Sequence, residues 1–340
     1  MKRGSRRGFF KAMAAIGSTT VLPARPEASP GDSPKYGRLP REVWIAAVAQ
    51  QGLQADTVDG MIDLVFGRMA KFESYEPDIV CLPEAFPLAW VRNRPAPTDI
   101  AEVPPGPITG RFAEYARSHG CYVVCPTYTR ENGKVFNAAV LIDRKGKIAG
   151  EYRKIRPTAG EVAGGIAPGP LDPPVFDTDF GRIGMQICFD IEWTDAWRRL
   201  GEKGAEIVFW PSAFAGGKAL NARAFTYRYA VISSTRKDTS KICDIDGAEL
   251  ARTGRWNKWA CAPVNLEKAF LHTWPFVMRF EEIHRKYGSK VRITNHHEEE
   301  WSIIESRSPD IRVADILKEF DMKTMTEHLR EAEAAQDRAR

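Results

Sequence analysis

The chain is poor in cysteine, and none of its cysteines is spaced like a staple or a metal site. Six cysteines in 340 residues fall far below the density of a disulfide scaffold. Cys121 and Cys125 stand four apart in an alternating Cys-Tyr-Val-Val-Cys stretch, which predicts a strand with both thiols on one face. No second Cys/His pair follows at zinc-site spacing, and the tandem His296-His297 sits in a charged, solvated stretch, so no metal and no cofactor are expected. An excess of one charge is also missing. The formal net charge is +5, and Lys2, Arg3, Arg6, Arg7, Lys11 and Arg25 carry most of it. The remaining body is close to neutral, which argues against a nucleic-acid partner. Internal repeats and a second composition class are absent as well. With 43% hydrophobic and 27% charged residues, the composition is that of an ordinary globular domain.

Long apolar runs are missing even at the N-terminus. Residues 1–28 have a basic start and a mild apolar stretch from Phe9 to Leu22, broken by Lys11, Gly17 and Ser18-Thr19-Thr20. That stretch is too short and too polar to span a bilayer but has the shape of a signal peptide. Ser5-Arg6-Arg7-Gly8-Phe9-Phe10-Lys11 resembles the twin-arginine export signature of bacteria. The resemblance implies the twin-arginine export machinery as a partner and a periplasmic or secreted location; a disordered basic tail is the alternative. Residues 29–40, rich in Pro, Gly and Ser, read as a linker.

What is present is an alternation of short apolar runs and amphipathic stretches. Val43–Ala49 predicts a buried strand, Asp56–Phe72 a helix with apolar residues three and four apart, and Asp78–Leu82 a second strand. Ile108–His119 predicts a helix closed by Gly120, and Cys121–Thr129 and Phe136–Ile142 two strands joined around Asn132-Gly133. After Lys154 a Pro/Gly-rich loop runs to Pro174. Ile183–Ile187 then predicts a strand, Trp193–Leu200 a short helix, Ala205–Trp210 a strand ending at Pro211, Ala219–Arg228 a helix and Tyr229–Ser233 a strand. Strand, helix, strand in this order is the pattern of an α/β fold. Beyond Glu267 the pattern weakens, and residues 306–340 read as a charged helical extension that could pack against another subunit.

Four side chains stand at or near the ends of these apolar runs. Glu84 follows a strand in Leu-Pro-Glu-Ala-Phe, Lys154 ends Glu-Tyr-Arg-Lys, Glu161 lies seven residues later in the loop, and Cys188 ends the strand Ile183–Ile187. Taken alone, Cys188 fits equally a small core residue, since free cysteine is usually buried. A thiol where a buried strand meets a helix start is also where α/β enzymes keep a nucleophile.

Three motifs in order, Leu82-Pro-Glu-Ala-Phe86, the Glu151–Glu161 segment EYRKIRPTAGE and the Gly181–Trp193 segment GRIGMQICFDIEW, resemble the nitrilase superfamily of carbon–nitrogen hydrolases. The resemblance covers residues 43–233 well and the remainder loosely. It implies an α/β fold of the four-layer αββα sandwich type, with the hydrolase domain over residues 41–305 and assembly into a homodimer or higher homo-oligomer. It further implies a Glu84, Lys154, Cys188 triad. A thiol is little ionised at neutral pH and needs a base. In this arrangement Glu84 takes the Cys188 proton, Lys154 and the Phe189 backbone N–H meet the oxyanion, and Glu161 positions the lysine and the substrate or water. Asp190 and Trp193 shape the turn.

The branch stays open between substrates. Cys188-Phe-Asp resembles the amidase and carbamoyl-hydrolase branches, whereas the Lys154–Glu161 segment looks nitrilase-like. Arg223–Tyr229 lacks the Glu-Asn pair of that helix in relatives. A small-molecule amide or carbamoyl substrate is expected, with a nitrile, or a silent binding module of the same fold, as alternatives. A papain-like hydrolase would need a histidine base, and neither His119 nor His272 lies in a suitable motif.

Overall fold

The computed structural model describes residues 37–340. The export signature in residues 1–28 and the linker up to residue 36 lie outside the described residues.

The first half of the chain builds one six-stranded sheet and its helical cover. In order come β1 (Glu42–Val48), α1 (Val58–Met69), β2 (Ile79–Cys81), α2 (Pro97–Ile100), α3 (Pro107–His119), β3 (Tyr122–Glu131), β4 (Lys134–Ile142) and β5 (Ile148–Arg153). β1, β2 and β3 are parallel, while β3, β4 and β5 form an antiparallel meander. Helix α1 starts where Thr57 accepts the Gly60 N–H and turns Met61, Ile62, Val65 and Met69 inward. The β3–β4 hairpin turns on Asn132-Gly133, both left-handed at φ 50° and 74°. That is the pairing a tight two-residue hairpin requires.

The second half repeats the plan. It contains α4 (Ala159–Ala163), β6 (Val175–Asp177), β7 (Arg182–Met185), α5 (Asp195–Glu202), β8 (Ile207–Ser212), α6 (Gly217–Tyr227), β9 (Ala230–Thr235), β10 (Lys241–Cys243) and β11 (Glu249–Arg252). Here β7, β8 and β9 are parallel, with antiparallel strands outside them. Gly184 lets α5 approach β7, since a Cβ there would lie 2.7 Å from the Leu200 side chain.

Period-two alternation sorts the strand residues into layers. Val43, Ile45 and Ala47 of β1 face Ile183, Met185, Ile207 and Phe209 of the second sheet in one apolar core. Ala46 and Val48 face outward and pack under α1 and α3, and Val208 and Val231 pack under α5 and α6. Helix, sheet, sheet, helix is the expected αββα sandwich.

Three features were not read from the pattern. β12 (Trp259–Asn265) returns antiparallel to β1 and closes the edge of the first sheet. β8 continues through Pro211 to Ser212, paired with β9 in register. Then β13 (Lys268–His272), α7 (Val277–Tyr287), β14 (Val291–His296), β15 (Trp301–Ser306), α8 (Val313–Glu319) and α9 (Met325–Ala339) form an appended unit. Its three-stranded sheet shares an apolar core with α7 and α8, so the helices after residue 306 complete this unit. Met325 of α9 packs on its other face with Phe270, Ile303 and Ile245.

One seam fixes the site. Ser234 Oγ donates to Val48 O at 2.5 Å, and the Gln50 N–H donates to Thr235 O at 2.9 Å. These bonds join the C-terminal ends of β1 and β9 across the two sheets.

Candidate active site

The strand ends that meet at this seam carry the charged groups. β2 ends at Cys81, Leu82 still donates to Val124 O, and Glu84 follows. The next turn is held from beneath by the buried Gln50, whose amide donates to Phe86 O at 2.8 Å and Ala89 O at 3.3 Å. Ala85, next to Glu84, is left-handed at φ 46°. Lys154 is the first residue past β5, and its N–H donates to Asn137 O at 2.8 Å.

Glu84, Lys154 and Glu161 converge. Lys154 Nζ donates to Glu84 Oε1 at 2.9 Å and to Glu161 Oε2 at 2.8 Å. Asn137 Nδ2 donates to Glu84 Oε1 at 3.0 Å and to Glu161 Oε1 at 2.7 Å. Arg236, the residue after β9, reaches Glu84 Oε2 at 3.4 Å. The Glu84 and Lys154 side chains are almost fully buried, so each charge is supported by partners rather than water. Burial alone would lower the Lys154 pKa, but Glu84, Cys188 and Glu161 together hold it well above the usual lysine range. Burial likewise opposes ionisation of Glu161, and Lys154 with the Thr158 N–H and Asn137 overcomes it, leaving that carboxyl below its ordinary value.

Glu161 sits on helix α4, where a plain loop was expected. Thr158 accepts the Glu161 N–H at 3.2 Å, and Glu161 Oε2 accepts the Thr158 N–H at 2.7 Å. This is a capping box, and the sequence Thr158-Ala-Gly-Glu161 carries its signature. One carboxylate therefore both caps the helix and holds the lysine.

Cys188 comes from the second sheet. After β7 the chain stays extended through Ile187, then Cys188 takes φ 48° and a one-turn 3₁₀ segment runs to Glu192. A non-glycine residue in this region costs on the order of 1–3 kcal/mol. Asp190 sustains it: Oδ2 accepts the Tyr152 hydroxyl at 2.7 Å and the Ile187 N–H at 2.9 Å, and Oδ1 accepts the Arg156 N–H at 2.7 Å. Trp210 Nε1 donates to Cys188 O at 3.0 Å. Asp190 is thus the hub of the turn, as expected; Trp193 packs edge-on against Phe189.

The thiol lies within the electrostatic reach of the cluster: Glu84, Lys154 and the Ala213 backbone all act on its ionisation. Burial first, and Glu84 second, push its pKa up to about 12 against the opposing pull of Lys154. In the resting site Cys188 is therefore a thiol beside a carboxylate. Phe189 is the first residue after it in the 3₁₀ segment, whose backbone bonds include Asp190 N–H to Ile187 O at 3.0 Å.

The structure also brings in groups the sequence reading passed over. Asn137 is a buried amide inside the apolar strand Lys134–Ile142, and a polar residue in such a run was its signal. Arg236 lies in a polar stretch, Ser233-Ser-Thr-Arg-Lys-Asp, with no local cue. The two histidines weighed as papain-like bases are engaged elsewhere: His119 Nε2 lies 3.3 Å from Glu73, and His272 Nδ1 lies 2.8 Å from Trp274 O.

Comparison with known proteins bears on the family and the fold. A carbon–nitrogen hydrolase family model matches residues 45–269. The deaminated glutathione amidase of Mus musculus is 31% identical over 178 residues, covering 46% of this chain and 54% of its own. A nitrilase of Pyrococcus abyssi is 31% identical over 163 residues, covering 46% and 62%. The chain spans about half the length of the curated relatives it matches. Among solved structures, an amidase from Nesterenkonia sp. superimposes with a TM-score of 0.57 at 19% identity, over 72% of this chain and 96% of that one. At that identity the match bears on the fold, a pair of sheets flanked by helices.

Proposed function

Because the chain belongs to the carbon–nitrogen hydrolase family, we propose that it cleaves the carbon–nitrogen bond of a small amide or N-carbamoyl compound through a thioester on Cys188. The observation that carries this reading is the meeting of a buried Glu84–Lys154–Glu161 cluster with a thiol held on a left-handed turn.

Each group then has one task. A thiol whose ionisation is opposed by burial and by Glu84 supplies little thiolate at neutral pH, so its proton leaves as the carbon–sulfur bond forms. Glu84, the carboxylate that acts most strongly on it, is the base. Sulfur attacks the carbonyl carbon, and the carbonyl oxygen becomes an oxyanion. Lys154, held positive by its carboxylates, and the Phe189 N–H meet that charge. The proton on Glu84 passes to the departing nitrogen, and ammonia or an amine leaves. Glu84 next removes a proton from water, whose attack breaks the thioester and restores the thiol. Glu161 and Asn137 hold Lys154 and Glu84 in register throughout.

The amide reading is preferred to the nitrile one because a carbonyl supplies the oxyanion that a lysine and a backbone N–H can both meet. The test is ammonia release from simple amides, carbamoyl compounds and nitriles by the wild type and Cys188→Ala. Amide or carbamoyl turnover should be lost in the variant, with an acyl adduct on Cys188 visible by intact mass. Turnover of nitriles alone would move the protein to the other branch. Turnover that survives Cys188→Ala would remove the mechanism altogether.

A further inference from the structure

The cluster opens to solvent beside cations that the reaction itself does not use. A cleft of about 280 Å³ is lined by Ala89, Trp90, Arg94, Ala213, Arg236 and Lys237. Two of its walls adjoin the chemistry: the Ala213 backbone acts on the ionisation of the Cys188 thiol, and Arg236 meets Glu84 Oε2 at 3.4 Å. Burial dominates the raised pKa of Tyr128, and the charges acting on it include Glu84, Glu161, Arg236 and Arg94. Arg94 and Arg236 both line this cleft.

Among the described residues, Arg236 at this mouth meets a carboxylate, Glu84, while the other two cations meet none. Arg94 and Lys237 are exposed and pair with no carboxylate among the described residues. Arg236 spends one contact on Glu84 and is partly open to solvent, leaving donors of its planar fork for a ligand. Of the acids nearby in sequence, one pairs with another cation and the other lines a different depression. Asp56 pairs with Arg92, and Asp238 lines a separate depression with Gln51, Thr239 and Lys258.

The remaining wall is apolar. Trp90 is 53% exposed and left-handed at φ 61°, a conformation a bulky residue keeps only when its surroundings impose it. Gln50 imposes it from one side through Ala89 O, and the Ala55 N–H from the other, donating to Trp90 O at 3.2 Å. The fold thus fixes the Trp90 backbone, and its side chain lines the cleft beside Ala89 and the cations.

Resting on the hydrolase reading above, we propose that the substrate is anionic: an amide or carbamoyl compound bearing a carboxylate a few bonds from the carbon that Cys188 attacks. Its short apolar chain lies along Trp90 and Ala89, and its carboxylate sits between Arg94 and Lys237 with Arg236 on the inner side. A neutral amide of the same length fills the cleft but leaves Arg94 and Lys237 facing water and the remaining donors of Arg236 unused.

The test compares charged and neutral partners of equal length. Ammonia release is measured from succinamate and glutaramate against butyramide and pentanamide, in the wild type, Arg94→Met/Lys237→Met and Lys237→Glu. The wild-type ratio of kcat/KM, charged over neutral, should be on the order of tenfold or more and shrink as salt is raised. It should approach one in the double variant and fall further with Lys237→Glu. A second reading needs no turnover. Alkylation of Cys188 by N-chloroacetylglycine and by N-chloroacetylglycinamide, followed by intact mass with Cys188→Ala as the blank, should show the same preference and the same loss. Where turnover is found its ratio decides, and otherwise the alkylation ratio does. A ratio near one in the wild type, or one unchanged by the variants, overturns the proposal. Absence of Cys188-dependent turnover on every amide overturns the hydrolase reading instead.

Discussion

Both large sheets have three parallel strands at the centre, antiparallel strands outside and helices on the outer face, yet they bring unlike groups to the site. The first carries Glu84 and Lys154 past its strand ends and Asn137 within β4, with Glu161 just beyond, locked by four hydrogen bonds. Two carboxylates against one ammonium leave that side one charge negative. The second sheet carries the thiol on a left-handed turn, and it returns Arg236 to Glu84, which restores neutrality. One sheet is therefore a pre-set charge network, and the other presents a neutral nucleophile to it. Buried charge is tolerable here because the two halves balance only when docked.

The largest way to break this division is to remove its one shared cation. Lys154→Met leaves two mostly buried carboxylates without their ammonium. Stability at pH 7 should fall by about 3–5 kcal/mol, and turnover should fall at least 10²–10³-fold. The pH dependence gives the sign. In the wild type the Glu161 pKa is lowered, so its contribution is present above the unfolded carboxylate pKa and lost as pH falls through the folded one. Without Lys154, burial dominates and raises that pKa, so the penalty is relieved on acidification. The stability gap between variant and wild type, from denaturant melts, should narrow from pH 7 to pH 5. A gap constant with pH would mean the lysine was not holding Glu161 ionised.

A smaller intervention separates base from thiol. Glu84→Gln keeps the shape but removes the second cause of the raised Cys188 pKa, leaving burial. The thiol pKa should drop below 12 yet stay above that of a free cysteine. Turnover should fall by roughly 10²–10⁴. Alkylation by chloroacetamide should climb about tenfold per pH unit between pH 6 and 9 in the variant, since only free thiolate then reacts. In the wild type, with the base built in, the same profile should be nearly flat. A flat profile in Glu84→Gln would show that some other group takes the proton.

The two sheets were not equally legible in the sequence. Local signals exposed most of the first: the amphipathic spacing of Val58–Met69, the Asn132-Gly133 turn, and charges placed directly after apolar runs. Cys188 was legible as a position, but its left-handed backbone was not, because the hub that sustains it, Asp190 with Tyr152 and Arg156, joins residues 34 and 38 apart. Arg236 lies 152 residues from its partner, and no period or spacing reports such a contact. β12 was missed for the same reason, since its pairing with β1 joins opposite ends of the domain. Helix α4 is different: its capping box was written in Thr158 and Glu161, and the glycines and prolines around it masked the signal. The motif order was what identified the family, now matched over residues 45–269.

The mildest test asks how firmly the seam sets the two halves against each other. Ser234→Ala removes the bond to Val48 O, a buried acceptor. Losing it should cost about 1 kcal/mol, seen as a fall in Tm of roughly 2 °C for a chain of this size. Activity should change by less than about threefold, because two other ties remain. Ser240 Oγ lies 3.5 Å from the same carbonyl, and the Gln50 N–H still holds Thr235 O, the residue before Arg236. A loss of activity far larger than the loss of stability would reverse this account: the Arg236–Glu84 contact would then hang on one hydroxyl, and the balance between the sheets would be a hinge rather than a fixed frame.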